Sequence, residues 1–255
     1  LALQEGPHHA PLHTVLSAVT EGNHYILNGA KVLVLDANAA HAFIVIARTS
    51  GASGEERGLS AFLVDAATPG VTLQRRSLVD SRSVSALVPE DCRVDAANLL
   101  GALDDAWGGL NRALDIANIG LSAELLGLSL EVFDRTVAYL KERKQFGRVI
   151  GSFQGLQHRA AELFAELELA RSIVLQALQA IDNGERDLSL LASAAKAKLC
   201  EVAQRATNEA IQMHGGIGMT DEYEIGFFIK RARVAQHTFG DYNYHLDRFA
   251  RLSGF

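Results

Sequence analysis

Two stretches carry residue types that could hold an anion. Gln212–Gly218 reads QMHGGIG, and the Gly215-Gly216 pair lets main-chain N–H groups come close to a phosphate, because no Cβ stands in the way. Upstream, Glu142–Gly147 reads ERKQFG, where Arg143 supplies a guanidinium whose fork of donors matches phosphate oxygens. Each residue also has a plainer reading. The glycines fall where a helical pattern stops and would serve as a C-cap, Arg143 would complement a helix dipole, and Phe146 would be ordinary core. His8, His9 and His13 lie in a proline-containing loop with no nearby acidic pair, and read as solvated loop residues rather than as a metal site.

The elements that must position these residues fall into two parts. From Leu3 to about Leu100 the apolar runs are short and β-branched, as in HYILNGAKVLVL and AFIVIART, with turn residues between them. This predicts a meander of strands, and Asn28-Gly29 predicts a two-residue hairpin turn between HYIL and KVLVL. After Leu103 the period becomes helical. Phe153, Leu156, Ala160, Leu163, Leu167, Ala170, Val174, Ala177 and Ile181 form one stripe along a helix about 45 Å long, with Ser152 as N-cap and Asn183-Gly184 as its end. A second stripe runs from Leu188 to Met213, a further helix from about Asp105 to Lys144 precedes both, and another follows from about Asp241. Short connections between long amphipathic helices imply antiparallel neighbours. The expectation is an α+β chain: an antiparallel, barrel- or sandwich-like β-domain over 1–102, then a four-helix bundle over 103–255.

Composition narrows the partners. The 255 residues are 48% hydrophobic with a net charge of −6, and no long basic run points to nucleic acid or an anionic membrane. Cys92 and Cys200 are far apart and near no ligand-type spacing, so neither a disulfide framework nor a zinc site is expected. Charges break the apolar stretches before the length a bilayer needs. A soluble, cytoplasmic protein is the expectation.

With these elements placed, the chain resembles the C-terminal two-thirds of an acyl-CoA dehydrogenase, a flavoprotein family of lipid β-oxidation. The resemblance rests on YILNGAKV at Tyr25, SAFLVDAATPGV at Ser60, DCRVDAANLLG at Asp91, YLKERKQFGRVIGSFQGLQHRAAEL at Tyr139 and QMHGGIGMTDEY at Gln212. It implies an FAD-dependent oxidoreductase that desaturates an acyl-CoA thioester at C2–C3 and passes electrons to an electron-transfer flavoprotein. That chemistry needs a base, a positioned flavin and an oxyanion site together. The family's N-terminal helical domain, which helps wall the acyl pocket, has no counterpart here. The chain is therefore expected to be a fragment of a longer product or to depend on something else to complete a site.

Carried over residue by residue, the resemblance is uneven. It implies that Arg143, Phe146, Gln212, Gly215 and Gly216 reach across a subunit interface to the pyrophosphate and adenine of an FAD seated in the neighbour. The contacts to a subunit's own flavin are poorly represented: Gln4 replaces a threonine, His9, Ala10 and Pro11 replace a Gly-Ser-Asp trio, and Leu33 and Leu35 replace a tryptophan and a threonine. The family's two base positions fall on Phe239 and Ala117, and the arginine beside the latter on Asn118. Asp241, which also reads as an N-cap, and Glu124, two turns beyond Ala117, are the candidate displaced bases. The expectation is a non-catalytic subunit that completes the FAD site of a related acyl-CoA dehydrogenase subunit, in a heterodimer or heterotetramer. The alternatives are a homo-oligomeric enzyme using Asp241 or Glu124, and a flavin-free assembly subunit.

Overall fold

The computed structural model describes residues 1–255. The chain divides into two compact units, Leu1–Ala113 and Leu114–Phe255.

The first unit is built of short strands: β1 (Ser17–Glu21), β2 (His24–Asn28), β3 (Lys31–Leu35), β4 (Ala42–Arg48), β5 (Leu59–Asp65), β6 (Val71–Ser77), β7 (Ser83–Pro89), β8 (Cys92–Asp95) and β9 (Leu99–Leu100). Six form one sheet in the order β8-β2-β1-β4-β5-β9, and three form a second in the order β3-β7-β6. All pairs are antiparallel except a single parallel contact of β1 with β4. Alternation along the strands turns Leu16, Leu27, Phe43, Val45, Phe62, Val64 and Leu87 into one apolar core.

The hairpin expected at Asn28-Gly29 does not form. β2 pairs with β1 and β8, whereas β3 pairs with β7 in the other sheet. The two-residue hairpin is instead Gly22-Asn23, which closes the Glu21↔His24 register with Gly22 at φ +62°. Asn28-Gly29 carries the chain from one sheet to the other. Gly29 sits at φ +144° with a missing Cβ that would lie 2.9 Å from Leu16 Cα, and the Asn28 side chain accepts the Asp91 N–H at 2.8 Å. Gly29→Ala is therefore expected to lower the unfolding free energy by about 2 kcal/mol through strain and overlap. A urea titration showing a loss below about 0.5 kcal/mol would contradict that account of the glycine.

A polar anchor lies at the start of this unit. Lys31 is fully buried and donates to Glu5 Oε1 at 2.6 Å and to the Leu3 carbonyl at 3.1 Å. The Glu5 carboxylate also accepts the Val15 and Leu16 N–H groups at 2.8 and 3.0 Å, which ties down the N-terminal loop. Burial dominates the energetics of the ammonium, and pulls the Lys31 pKa down to about 8.

In the second unit, helices α1 (Trp107–Glu142), α2 (Gln154–Asn183), α3 (Leu188–His214), α4 (Ile225–His237) and α5 (Tyr242–Leu252) pack around Leu125, Val132, Leu163, Leu167, Leu199 and Val202. The α2 stripe is buried from Leu163 to Ala180, and Gly184 ends the helix in the left-handed region at φ +64°, ψ +34°. Ser152 is not its cap: the N-cap is Phe153, with no side-chain bond, and Ser152 Oγ donates back to the Val149 carbonyl. Two shorter helices, α4 and α5, pack on α3 where a single fourth helix was expected. The sequence signals only α5, because the buried face of α4 is Ile225, Ala232, Ala235 and Gln236, with no run of large apolar residues.

By length and composition α1 is apolar enough to cross a membrane, contrary to the reading that charges interrupt every such stretch. Its polar residues explain its place in the bundle. Ser122, Ser129 and Thr136 are buried and return their hydroxyls to the carbonyls four residues back, while Ile119, Leu125 and Val132 are core.

Candidate functional site

Between α1 and α2 a tight hairpin, β10 (Lys144–Gln145) and β11 (Arg148–Val149), turns through Phe146-Gly147. Both turn residues have positive φ, +53° and +78°. This left-handed conformation is costly for a phenylalanine, and it leaves the Phe146 ring 90% exposed. The ring meets Phe153 edge-on at 6.2 Å. Phe146 is therefore not core.

Hairpin, end of α1, start of α2 and end of α3 enclose a cleft of about 670 Å³, and Arg143, Phe146, Gln212 and Gly215 all line it. Four of the five residues implied for a neighbour's cofactor thus converge, although Arg143 and Gln212 are far apart in sequence. Gly216 follows directly, in the 3₁₀ helix Gly215–Met219. No intrachain hydrogen bond or ion pair engages the Arg143 guanidinium or the Gln212 amide. Gly215 caps α3, its N–H meeting the Ile211 and Gln212 carbonyls, at φ +65° and ψ −141°, which only glycine adopts readily. The plain C-cap reading and the cleft-lining role hold together.

Sequence reasoning missed His214. Its ring is buried and stacks on Tyr139 at 4.3 Å, its Nδ1 bonds the Ala210 carbonyl at 2.7 Å, and its Nε2 has no partner. Burial holds its pKa below the ordinary imidazole value, against the Ala210 hydrogen bond. The neutral ring thus forms a wall of the cleft. A histidine just before a glycine pair gives no sequence signal of this stacking.

The main chain at Phe239 is reached from α1 by the neighbour of Ala117. Phe239 lies in the turn between α4 and α5 at φ +55°, and its carbonyl accepts from Asn118 Nδ2 of α1 at 3.3 Å and His245 Nε2 at 3.1 Å. Ala117 is the residue next to Asn118 on α1. Lys196, fully buried on α3, donates to the carbonyls of Gln236, Thr238 and Gly240 at 3.2, 2.9 and 2.8 Å. Every carbonyl of this turn from Thr238 to Gly240 is therefore held by a side chain. Asp241 is the N-cap of α5, its carboxylate accepting the Tyr244 N–H at 3.0 Å. Glu124 is engaged by Arg231 at 2.6 and 2.9 Å. Both candidate displaced bases thus have structural partners.

In the first unit the Gln4 amide bonds the Gly6 carbonyl at 2.9 Å. Leu33 takes φ +52° at a bulge between Lys31 and Val34 and is partly exposed, as is Leu35 to a lesser degree. His8, His9 and His13 do not converge with acidic residues into a metal-binding group.

Two family descriptions match the chain: the acyl-CoA dehydrogenase middle domain over residues 3–92 and the acyl-CoA dehydrogenase C-terminal domain over residues 107–253. The chain belongs to the acyl-CoA dehydrogenase family. Among curated relatives, the short/branched chain specific acyl-CoA dehydrogenase of Rattus norvegicus mitochondria is 35% identical over 90% of this chain and 54% of that one. The chain thus spans about half the length of such relatives. Two solved structures illustrate the likeness of fold. A chain from the electron transferring flavoprotein structure of Acidaminococcus fermentans superposes with a TM-score of 0.92 at 29% identity, covering 99% of this chain and 67% of the other. The Tcur3481-Tcur3483 steroid ACAD superposes with a TM-score of 0.86 at 29% identity, covering 99% and 66%. Acyl-CoA dehydrogenases are FAD oxidoreductases.

Proposed function

We propose that this chain is a subunit of a heteromeric FAD-dependent acyl-CoA dehydrogenase, lending Arg143, Phe146, Gln212, Gly215 and Gly216 to the FAD of a related subunit while lacking a base of its own. The observation that carries the reading is the contrast between its two candidate places. The cleft presents an unengaged guanidinium, an unengaged amide and an outward phenyl ring, whereas the α4–α5 turn carries a phenylalanine and is closed off by internal hydrogen bonds.

The donor set suits the cofactor. Arg143 would pair with pyrophosphate oxygens, the exposed Phe146 ring would give a purine a stacking surface, and Gln212 would hydrogen-bond its polar edge. When bound, FAD supplies the electron acceptor for 2,3-desaturation of an acyl-CoA. On the proton side, Phe239 and Ala117 have no group to accept the α-proton, so the partner would supply the carboxylate. The two-component name of the steroid ACAD among its structural neighbours fits an assembly of unlike subunits. The electron acceptor is proposed to be an electron-transfer flavoprotein, in keeping with the neighbour from such a structure.

Co-expression with a flavin-bearing acyl-CoA dehydrogenase subunit tests this. Arg143→Ala is expected to lower the flavin retained per complex at least tenfold, which corresponds to about 1.4 kcal/mol, read from the visible absorption of the purified complex. Stoichiometric flavin and enoyl-CoA formation by the isolated chain would overturn the reading in favour of a homo-oligomeric enzyme. Unchanged flavin in Arg143→Ala would leave only a flavin-free assembly role.

A further inference from the structure

His214 is a buried titratable group that the proposed FAD contacts leave unused. Its Nδ1 meets the Ala210 carbonyl at 2.7 Å, and since a carbonyl only accepts, that nitrogen carries the proton. Burial keeps the ring neutral. Nε2 is then an acceptor with neither a hydrogen-bond partner nor solvent contact, so it neither touches an occupant of the cleft nor takes a proton from one. What the ring does have is a fixed place.

Three contacts fix it. The Ala210 bond ties it to the last turn of its own helix. The 3₁₀ helix Gly215–Met219 folds closely against the same residue: a Cβ on Gly218 would lie 2.9 Å from His214 Cβ and 2.9 Å from the Ile211 carbonyl oxygen. From α1, Tyr139 stacks on the ring at 4.3 Å and 27°, and its hydroxyl donates to the His214 carbonyl at 3.3 Å. The C-terminal ends of α1 and α3 are thus joined by one ring-on-ring contact and one hydrogen bond.

The cleft residues lie directly beside that joint. Tyr139 is one helical turn before Arg143, whose N–H bonds the Tyr139 carbonyl at 2.9 Å and whose carbonyl accepts the Ile150 N–H at 2.8 Å beyond the β10–β11 hairpin. On α3, His214 stands between Gln212 and Gly215. Because neither the Arg143 guanidinium nor the Gln212 amide is held within the chain, their convergence depends on where the two helix ends are pinned. Pinning them in advance removes part of the ordering cost of taking up a ligand.

We infer that His214 is a positioning residue: stacked on Tyr139, it clamps the end of α1 to the end of α3, so that Arg143 and Gln212 already face one cleft before an occupant arrives. That the occupant is a neighbour's FAD rests on the reading given under Proposed function.

The clamp can be read apart from the cofactor. In the isolated full chain, His214→Ala should speed hydrogen exchange at the Arg143 and Ile150 amides about tenfold and leave the α2 core around Leu167 unchanged. His214→Phe keeps a flat ring on Tyr139 and dispenses with both nitrogens, so it should restore wild-type exchange. Tyr139→Leu removes the same stack from the α1 side and should match His214→Ala, so the result does not hang on one variant folding. In the complex co-expressed with a flavin-bearing acyl-CoA dehydrogenase subunit, flavin retained per complex should fall about fivefold in His214→Ala and recover in His214→Phe. Exchange that rises throughout the unit, or that stays at the wild-type rate, would overturn the clamp, as would His214→Phe behaving like His214→Ala. Full flavin in His214→Ala where Arg143→Ala has lost it would overturn it too. If exchange responds as stated and neither His214→Ala nor Arg143→Ala loses flavin, the clamp stands and the cofactor reading falls.

Discussion

Asp115→Ala is expected to lower the unfolding free energy by about 3–5 kcal/mol, the usual cost of leaving one member of a buried ion pair alone. Asp115 on α1 is buried and accepts from Arg248 of α5 at 2.7 Å and from Ser189 Oγ of α3 at 2.5 Å. Arg248 also reaches Ser193 Oγ at 3.0 Å. One carboxylate therefore ties three helices together. Without it the guanidinium keeps its Ser193 hydroxyl and Ser189 carbonyl contacts but loses the carboxylate it pairs with, and α5, only 11 residues long, loses this tether to α1. Denaturant titration should show the full loss in Asp115→Ala and a smaller one in Asp115→Asn, which keeps an acceptor oxygen but not the charge. Hydrogen exchange should rise first over Tyr242–Leu252. A loss below about 1 kcal/mol would show that the network contributes no more than a surface pair.

The second large effect concerns Lys196, and it has a size that depends on pH. Lys196→Met removes the donor shared by three carbonyls, those of Gln236 and Gly240 buried and that of Thr238 partly so, at about 1–3 kcal/mol each. Against this stands relief of the buried ammonium, whose pKa burial pulls down to about 8. A drop from the unperturbed value near 10.4 is worth about 3 kcal/mol at 1.36 kcal/mol per unit. The orphaned carbonyls win, and the net loss near neutral pH is about 3 kcal/mol. The pH dependence follows from linkage. Between about pH 8 and 10.4 the unfolded lysine still holds its proton while the folded one has released it, so the unfolded chain binds more protons and stability rises with pH. Below pH 8 both forms are charged, and the unfavourable burial is present in full. Lys31, also lowered to about 8, adds to the same rise. Across pH 7.5, 8.5 and 9.5 the unfolding free energy of the wild type should therefore gain relative to that of Lys196→Met. Burial pushes the Cys92 and Cys200 thiols up and pulls the slope the other way, so the decisive quantity is the difference between the two proteins, and equal slopes in wild type and Lys196→Met would refute the buried-ammonium account.

These two networks also show what the sequence conceals. Lys196 sits in a helix stripe among alanines, and nothing local announces that its ammonium caps the far turn at Gln236–Gly240. Asp115 and Arg248 are separated by 133 positions. Glu124, weighed as a displaced base, finds in Arg231 a partner 107 positions away that spacing does not reveal, whereas the bond of Asp241 to the Tyr244 N–H is the N-cap its position already suggested.

By itself the sequence determined the features that depend on local periodicity and local chemistry. Apolar residues at helical spacing marked α2 and α3, alternation marked the strands, glycine at 184 marked a left-handed cap, and Asp241 marked a helix start. The motifs around Arg143 and Gln212 carried the family, and the absence of a carboxylate at 239 and 117 was visible at once. Only the tertiary structure decided which strands pair, because Asn28-Gly29 permits positive φ without requiring its flanking strands to meet, and Gly29 is needed for contact with Leu16. It alone brought Arg143, Phe146, Gln212 and Gly215 to one cleft and set Asn118 against Phe239. Those contacts join residues distant along the chain, and their energies arise from burial and hydrogen bonding that exist only once the helices have packed.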